Sequence, residues 1–274
     1  MIAYKTLQAP EEFQDIQRME MLVWQIDASE AVPGHMSHIL ALCGGHVQGA
    51  YDGDTMIGFS LALPARMEGR WMLWSHMAAV NPAYQRQGIG RRLKMNQRAW
   101  AIEQGFTHIG WTFMPLMRQN ANFNLNVLGG HAYTYHPNFY GPMHDSLNEG
   151  MPSDRLIVTW ELENPRVIAH ATGEIAHLSL PLEIPALLTH SEAGEPEIRP
   201  LDWHTCGEYL TVEVPYDTLT MMRDDLPQAQ RWCYAVREVF TLAFERHYCA
   251  IDFVTQESRC WYVLRRQKTQ ASNA

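Results

Sequence analysis

The stretch Val80-Asn81-Pro82-Ala83-Tyr84-Gln85-Arg86-Gln87-Gly88-Ile89-Gly90-Arg91-Arg92-Leu93-Lys94 limits the possible folds more than any other part of the chain. A strand-like run, Trp71 to Val80, is stopped by Asn81-Pro82, and a helical pattern then holds from Gly88 to Gln104, where Gly105 ends it. A strand, a tight turn and a helix in that order expose the orphan N–H groups of the first helical turn and the positive end of the helix dipole. Gly88 and Gly90 leave that main chain open to an anion with no Cβ in the way. Arg86, Arg91, Arg92, Lys94 and Arg98 gather five positive charges in a chain whose 21 basic and 30 acidic residues give a formal net charge of −9. The local excess suits a phosphorylated cofactor, and the overall acidity argues against a bare nucleic-acid backbone as partner.

Around this unit the pattern alternates β-type runs with amphipathic helices, which predicts an α/β (α+β) fold with a mixed, mostly antiparallel sheet flanked by helices. A short strand near Tyr4 precedes two helices, Pro10 to Trp24 and Pro33 to Cys43. His46–Tyr51 and Thr55–Leu63 form a hairpin across Asp52-Gly53-Asp54, whose glycine supplies the positive φ of a tight connection. After the glycine turn come a strand at Thr107–Phe113, a helix at Asn120–Leu128 closed by Gly129-Gly130, the aromatic residues Tyr133, Tyr135, Phe139 and Tyr140, and a strand at Leu156–Leu162. The expected division is 1–165 as one domain, 166–200 as a proline-rich irregular connection with one strand near Ile175–Leu180, 201–266 as a small β-α-β-β lobe, and 267–274 as a tail. In that lobe a strand at Glu208–Val214 precedes a helix at Leu226–His247, with Pro227 in its first turn, and strands at Cys249–Val254 and Cys260–Leu264.

The glycine spacing narrows the cofactor. A dinucleotide fingerprint needs a third glycine where Leu93 stands and a carboxylate closing the next strand, and a P-loop needs Gly-Lys-Ser/Thr; none is present. The segment Gln85-Arg86-Gln87-Gly88-Ile89-Gly90 instead resembles the pyrophosphate loop Q/R-x-x-G-x-G/A of the GNAT superfamily of acyl-CoA N-acyltransferases, and the order of elements around it agrees. The phrases Ser75-His76-Met77, Arg118 to Asn124 and Pro152-Ser153-Asp154-Arg155-Leu156 resemble a poorly characterised branch of predicted GNAT proteins, and the resemblance continues through Val212-Glu213-Val214-Pro215 and Trp261-Tyr262-Val263-Leu264.

This resemblance implies acyl-CoA, acetyl-CoA by default, as co-substrate. It assigns the pyrophosphate to the main chain of Gln85, Arg86, Gln87, Gly88, Ile89, Gly90 and Arg91, the pantetheine arm to Met77, Ala78 and Val80 on a strand that splays from its neighbour, and further CoA contacts to Asn120 and Asn124. It also marks two departures. Leu125 stands where many members carry a tyrosine general acid, and Trp74 where many carry a glutamate base. His76, on the strand that presents the thioester, is the candidate to relay the amine's proton, and Tyr140 and Tyr135 are the candidates to replace the missing acid. Arg118 and Arg155 are available for a carboxylate on the substrate or on a succinyl donor. The expected activity is transfer of a short acyl group to the amine of a small molecule such as an amino acid, with the C-terminal lobe shaping the acceptor pocket. The alternative is a degenerate module that binds acyl-CoA without turnover.

Other chemistries find little support. His35/His38, His131/His136 and His144-Asp145 lack a ligand set at metal spacing, so no metal is expected. The five cysteines are an odd set without a C-x-x-C pair, the start has no basic-then-apolar leader, and no apolar run approaches the about 20 residues of a spanning helix. A cytoplasmic protein, acting alone or as a homodimer and with neither nucleic acid nor membrane as partner, is the expectation.

Overall fold

The computed structural model describes residues 1–67, 69–143, 149–174, 180–181 and 183–267. The chain divides into two compact units, each with its own sheet and helices. The first holds the described residues up to Trp111 together with Glu161–Asn164; the second holds the described residues of 112–160 and those from 165 onward.

In the first unit, β1 (Ala3–Thr6) is followed by α1 (Pro10–Trp24), α2 (Gly34–Leu42), β2 (His46–Asp52), β3 (Thr55–Met67), β4 (Arg70–Val80), α3 (Ile89–Glu103) and β5 (His108–Phe113), the last counted here to Trp111. The strands lie in sequence order, antiparallel except for β4 beside β5, which run parallel. Strand alternation divides the apolar residues between two clusters. Phe13, Ile16 and Met19 of α1 pack with Val47, Phe59, Leu61 and Ala79, whereas Ile89 and Leu93 of α3 pack with Ala50 and Ile57. Burying such stripes is what holds helices of this length on the sheet, at about 1.5–3 kcal/mol per large side chain.

The second unit contains a short helix, α4 (Arg118–Ala121), running directly into a π-helical turn at Asn122–Val127, then β6 (His131–His136), β7 (Arg155–Glu161), α5 (Pro165–Thr172), β8 (Ala186–His190), β9 (Pro196–Ile198), β10 (Tyr209–Val214), α6 (Thr218–Asp224), α7 (Leu226–Glu245), β11 (Tyr248–Gln256) and β12 (Arg259–Arg266). Its strands order as β7-β6-β11-β12-β10-β8-β9, with β8 and β10 the parallel pair. The long helix α7 buries Trp232, Val236, Val239 and Phe240, and Phe240 meets the ring of Tyr262 edge-on at 5.1 Å. Asp225 caps α7 by accepting from Gln228 N–H at 2.9 Å, and Pro227 sits in the first turn, where its missing N–H costs nothing.

Three expectations need correction. The helix predicted at Asn120–Leu128 is α-helical only to Ala121; beyond it Leu128 N–H bonds back to Phe123 O and Gly130 N–H to Asn124 O, and Asn126 donates to the Asn122 side chain at 3.1 Å. The stretch 166–200 is not irregular throughout: α5 starts on Pro165, a first-turn position that accepts proline, and β9 starts on Pro196 at the sheet edge, where no ladder donor is missed. Between them β8 buries Leu187 and Leu188. The helix α6, capped by Asp217 on Thr220 N–H, was not expected. The strand expected near Ile175–Leu180, the pair His144-Asp145 and the tail beyond residue 267 lie outside the described residues, Leu180 apart.

Candidate acyl-donor site

The glycine turn is built as its sequence demands. Asn81 Oδ1 accepts from Ala83 N–H at 3.0 Å and shapes a 3-10 turn over Pro82–Tyr84, the Tyr84 hydroxyl donates to Asp52 at 3.2 Å, and Gln85 Nε2 donates back to Val80 O at 3.3 Å. Arg86 and Gly88 then adopt positive φ, 61° and 79°. Gly88 caps α3 and, having no side chain, offers no bond to the helix's first N–H groups. A Cβ on Gly88 would meet nothing within 4 Å, and one on Gly90 would meet only Val80 Cγ2 at 3.8 Å. Ile89 is turned into the core, while Gln85, Arg86, Gln87 and Gly88 are exposed and Gly90 and Arg91 half-buried. The result is an open cradle of uncapped donors at the positive end of a 15-residue helix, which fits a diphosphate.

Strand β4 leads into this cradle and carries two irregularities. Its parallel register with β5 covers Leu73↔Ile109 and Trp74↔Gly110 and, among the described residues, goes no further. Its antiparallel register with β3 shifts between Ala62↔Ser75 and Leu61↔Met77, so His76 is the extra residue of a β-bulge. His76 is exposed and Met77 half-buried, Ala78 is exposed, and Val80 packs against the α3 cluster. Although the residue reaches solvent, partial burial of the His76 ring by the surrounding protein holds its pKa below the ordinary imidazole value, which favours the neutral ring. The first unit therefore brings together His76, Met77, Ala78, Val80 and the loop from Gln85 to Arg91.

Two of the five basic residues do not belong to that anion surface. Lys94 is 4 % exposed; its Nζ donates to Ser75 Oγ at 2.7 Å and Gln97 Oε1 at 3.2 Å and lies 3.8 Å from the centre of the Trp111 ring. Burial lowers its pKa to about 7. Arg98 donates to Leu162 O. In the sequence Lys94 reads as one of five charges suited to a phosphate and Ser75 only as part of a family phrase; the signal for the burial of Lys94 is helical phase, since it lies beside the buried stripe Ile89, Leu93, Gln97 and Ala101. The polar character continues across the sheet, where Gln48 donates to Ser60 Oγ at 2.9 Å and Leu93 O at 2.7 Å, and His46, stacked on Trp100 at 4.7 Å, is kept neutral by burial with a pKa of about 4.

The remaining expected site residues lie in the second unit. Asn120 is exposed, Asn124 is buried in the π-helical turn, and Leu125, at the place of the family's tyrosine, is completely buried. Arg118 Nε donates to Tyr216 O at 3.0 Å and its guanidinium lies over the Tyr216 ring. Arg155 is buried, donates to Asp154 O at 2.9 Å and lies 5.2 Å from the centre of the Tyr140 ring. Tyr140 is exposed, with its hydroxyl 3.1 Å from Thr112 Oγ1. Tyr135 is differently placed: its hydroxyl donates to Asp154 at 2.7 Å, and burial together with that carboxylate holds its pKa far above the ordinary phenol value. Its proton is committed to Asp154, which weighs against Tyr135 as a general acid.

Of the histidine pair at 35 and 38, His38 stacks on Phe13 at 5.0 Å, and both line a cavity of about 550 Å³ with Gln14, Gln17 and Arg18. Among the described residues no three His, Cys, Asp or Glu side chains are grouped to hold a metal ion, and no helix is long and apolar enough to cross a membrane.

Comparison with known proteins adds the family. The sequence profile of the Acetyltransferase (GNAT) family matches residues 11–123. Solved structures similar to the chain include a GNAT-family protein from Desulfovibrio desulfuricans (21 % identity, 59 % of this chain and 99 % of that one, TM-score 0.48). An N-acetyltransferase from Staphylococcus aureus Mu50 is 16 % identical over 60 % of this chain and 99 % of its own, with a TM-score of 0.47. A GNAT family acetyltransferase from Elizabethkingia anophelis, solved with acetyl-CoA bound, is 16 % identical over 58 % of this chain and 97 % of its own, with a TM-score of 0.43. No curated protein matches the chain. Residues 11–123, which run from α1 through the glycine turn into the π-helical turn, make the chain a carrier of an acetyltransferase domain of the GNAT family.

Proposed function

We propose that the chain is an N-acyltransferase that moves an acetyl group from acetyl-CoA to the amine of a small molecule such as an amino acid, in the cytoplasm and without a metal. The observation that carries the reading is the open, uncapped N-terminus of α3, with Gly88 at φ 79° and Gly90 clear of neighbours, reached by a β4 edge whose register with β5 stops at Trp74. The main chain of Gln85 to Arg91 would hold the diphosphate, and the β4 edge at Met77, Ala78 and Val80 would pair with the pantetheine arm. Bound acyl-CoA supplies a thioester, already activated toward amines. The protein's part is to hold donor and acceptor in line, which is worth a large share of the barrier, and to take a proton from the attacking nitrogen. The donor-binding residues would all lie within 1–165.

Release of CoA thiol from acetyl-CoA, followed across a panel of amino acids and small amines with mass detection of the acylated product, tests this reading. Product exceeding the enzyme concentration many-fold supports it. Tight CoA binding without turnover on any amine contradicts it and favours a binding module, the reading that Leu125 and Trp74 at the usual acid and base positions would suit.

A further inference from the structure

The first unit buries a chemically unusual pair. Lys94 Nζ and Ser75 Oγ are 2.7 Å apart, and each residue is 4 % exposed. The groups facing Lys94 from the elements packed around it are Ser75 on β4, Trp111 on β5 and Gln97 on its own helix; Gln48 and His46 on β2 and Ser60 on β3 extend the polar stripe. Among the described residues no carboxylate reaches Lys94, and His46 is neutral. A buried lysine without an anion is held toward its free-amine form, the form that accepts protons.

Placement adds to this. Ser75 is the first residue of β4 beyond the last register pair with β5, Trp74↔Gly110, and it immediately precedes the bulged His76. The backbone at Ser75 thus stands where the strand edge becomes uncovered, while its hydroxyl lies on the sheet face, against Lys94 of α3. The register His46↔Ala62 and Ala62↔Ser75 sets a row of residues across three strands with only a methyl group between the two polar ends. In and beside this row, His46 Nδ1 and Gln97 Nε2 are buried without a hydrogen-bond partner. Orphaned buried polar atoms of this kind call for a physical reason.

We propose that Ser75 and Lys94 form the proton acceptor of the transfer reaction: Ser75 Oγ takes a proton from the acceptor's ammonium group and passes its own to the Lys94 amine. This rests on the acyltransferase reading above and supplies the base that Trp74 does not. The freed amine attacks the thioester carbonyl, the carbon–nitrogen bond forms and the carbon–sulfur bond breaks. The second nitrogen proton leaves with the thiolate as CoA thiol, and Lys94 returns its proton to solvent. The balance is one ammonium and one thioester giving one amide, one thiol and one proton. Ser75 touches the substrate, and Lys94 acts through it.

The test is the pH profile of kcat for the wild type, Lys94→Met, Ser75→Ala and Ser75→Thr, with CoA affinity and circular dichroism measured in parallel. Wild-type kcat should rise through an inflection near pH 7 to a plateau, with the base in its free form above it. Lys94→Met and Ser75→Ala should lower the plateau about 10²- to 10⁴-fold and lose the inflection while CoA affinity stays within about threefold. Ser75→Thr, which keeps a hydroxyl, should retain both. Should Lys94→Met fail to fold, Ser75→Ala decides alone, since it removes one oxygen and leaves the lysine in place. The proposal is overturned if the folded variants keep the wild-type rate and inflection, or if rapid quenching finds the acyl group on Ser75, which would make the serine a nucleophile. A wild type that fails to bind CoA at all would instead remove the acyltransferase reading.

Discussion

Lys94 in the first unit and Asp154 in the second are both buried charged groups, yet their surroundings treat them in opposite ways. Asp154 is completely buried, and every side of it is answered: Arg237 donates twice at 2.8 Å, Tyr135 at 2.7 Å and the Asn138 N–H at 3.0 Å. Burial works to raise its pKa, but these bonds outweigh it and hold the carboxylate below the usual range, ionised at any ordinary pH. Lys94 has only neutral partners, and burial alone acts on it. The first arrangement is closed and ties strand, turn and helix together. The second costs stability and leaves a proton free to come and go, a feature expected of a working site more than of a scaffold.

Breaking the closed set should have the largest effect. Arg237→Met strands the Asp154 carboxylate in the interior and should cost about 3–5 kcal/mol in urea or thermal unfolding. A loss within about 0.5 kcal/mol would show that the second unit does not depend on the pair. Lys94→Met sharpens the contrast because its sign is opposite. The unfolded lysine, with its pKa near 10.5, binds more protons than the folded one, with its pKa about 7, at every pH between those values, so wild-type stability rises with pH across that window. The methionine variant should be more stable at pH 7, by about 1–4 kcal/mol, and the gain should shrink toward pH 10.5 and vanish above it. A variant less stable than wild type at pH 7 would mean that the lysine's bonds to Ser75 and Gln97 outweigh its burial.

The smallest stability effects are expected at the cradle, where function and stability part company. Gly90 lies in the first turn of α3, so Gly90→Ala should leave stability unchanged or raise it by about 0.5–1 kcal/mol, while weakening CoA at least tenfold, about 1.4 kcal/mol. Gly88→Ala should weaken CoA as well, but its φ of 79° adds about 1 kcal/mol of folding cost, because an alanine is strained there.

The same contrast explains what the sequence made legible. Elements set by strong local signals came out at or near their true bounds: α1 at Pro10–Trp24 from its proline start and apolar period, the hairpin β2–β3 from Asp52-Gly53-Asp54, and α3 from Gly88 to Gly105. The loop from Gln85 to Arg91 was legible for the same reason, since glycine spacing records a backbone requirement. Features decided by tertiary partners were not. Pro165 and Pro196 read as breakers because first-turn and edge-strand prolines look the same in a sequence as disruptive ones. Lys94 read as one more surface charge beside Arg91 and Arg92, although it lies almost under the buried stripe of α3. Arg155 reads as a ligand for a substrate carboxylate, whereas the guanidinium that binds the neighbouring Asp154 belongs to Arg237, 83 residues away in the chain.

Calorimetric titration of the wild type and Gly90→Ala with CoA and acetyl-CoA, with NADH as control, tests the central claim that the N-terminus of α3 holds the donor's diphosphate. The account predicts a micromolar dissociation constant for CoA and acetyl-CoA, about −8 kcal/mol, at least tenfold weaker binding to Gly90→Ala, and no comparable heat from NADH. No binding of either thiol cofactor, or equal binding by both proteins, would contradict it.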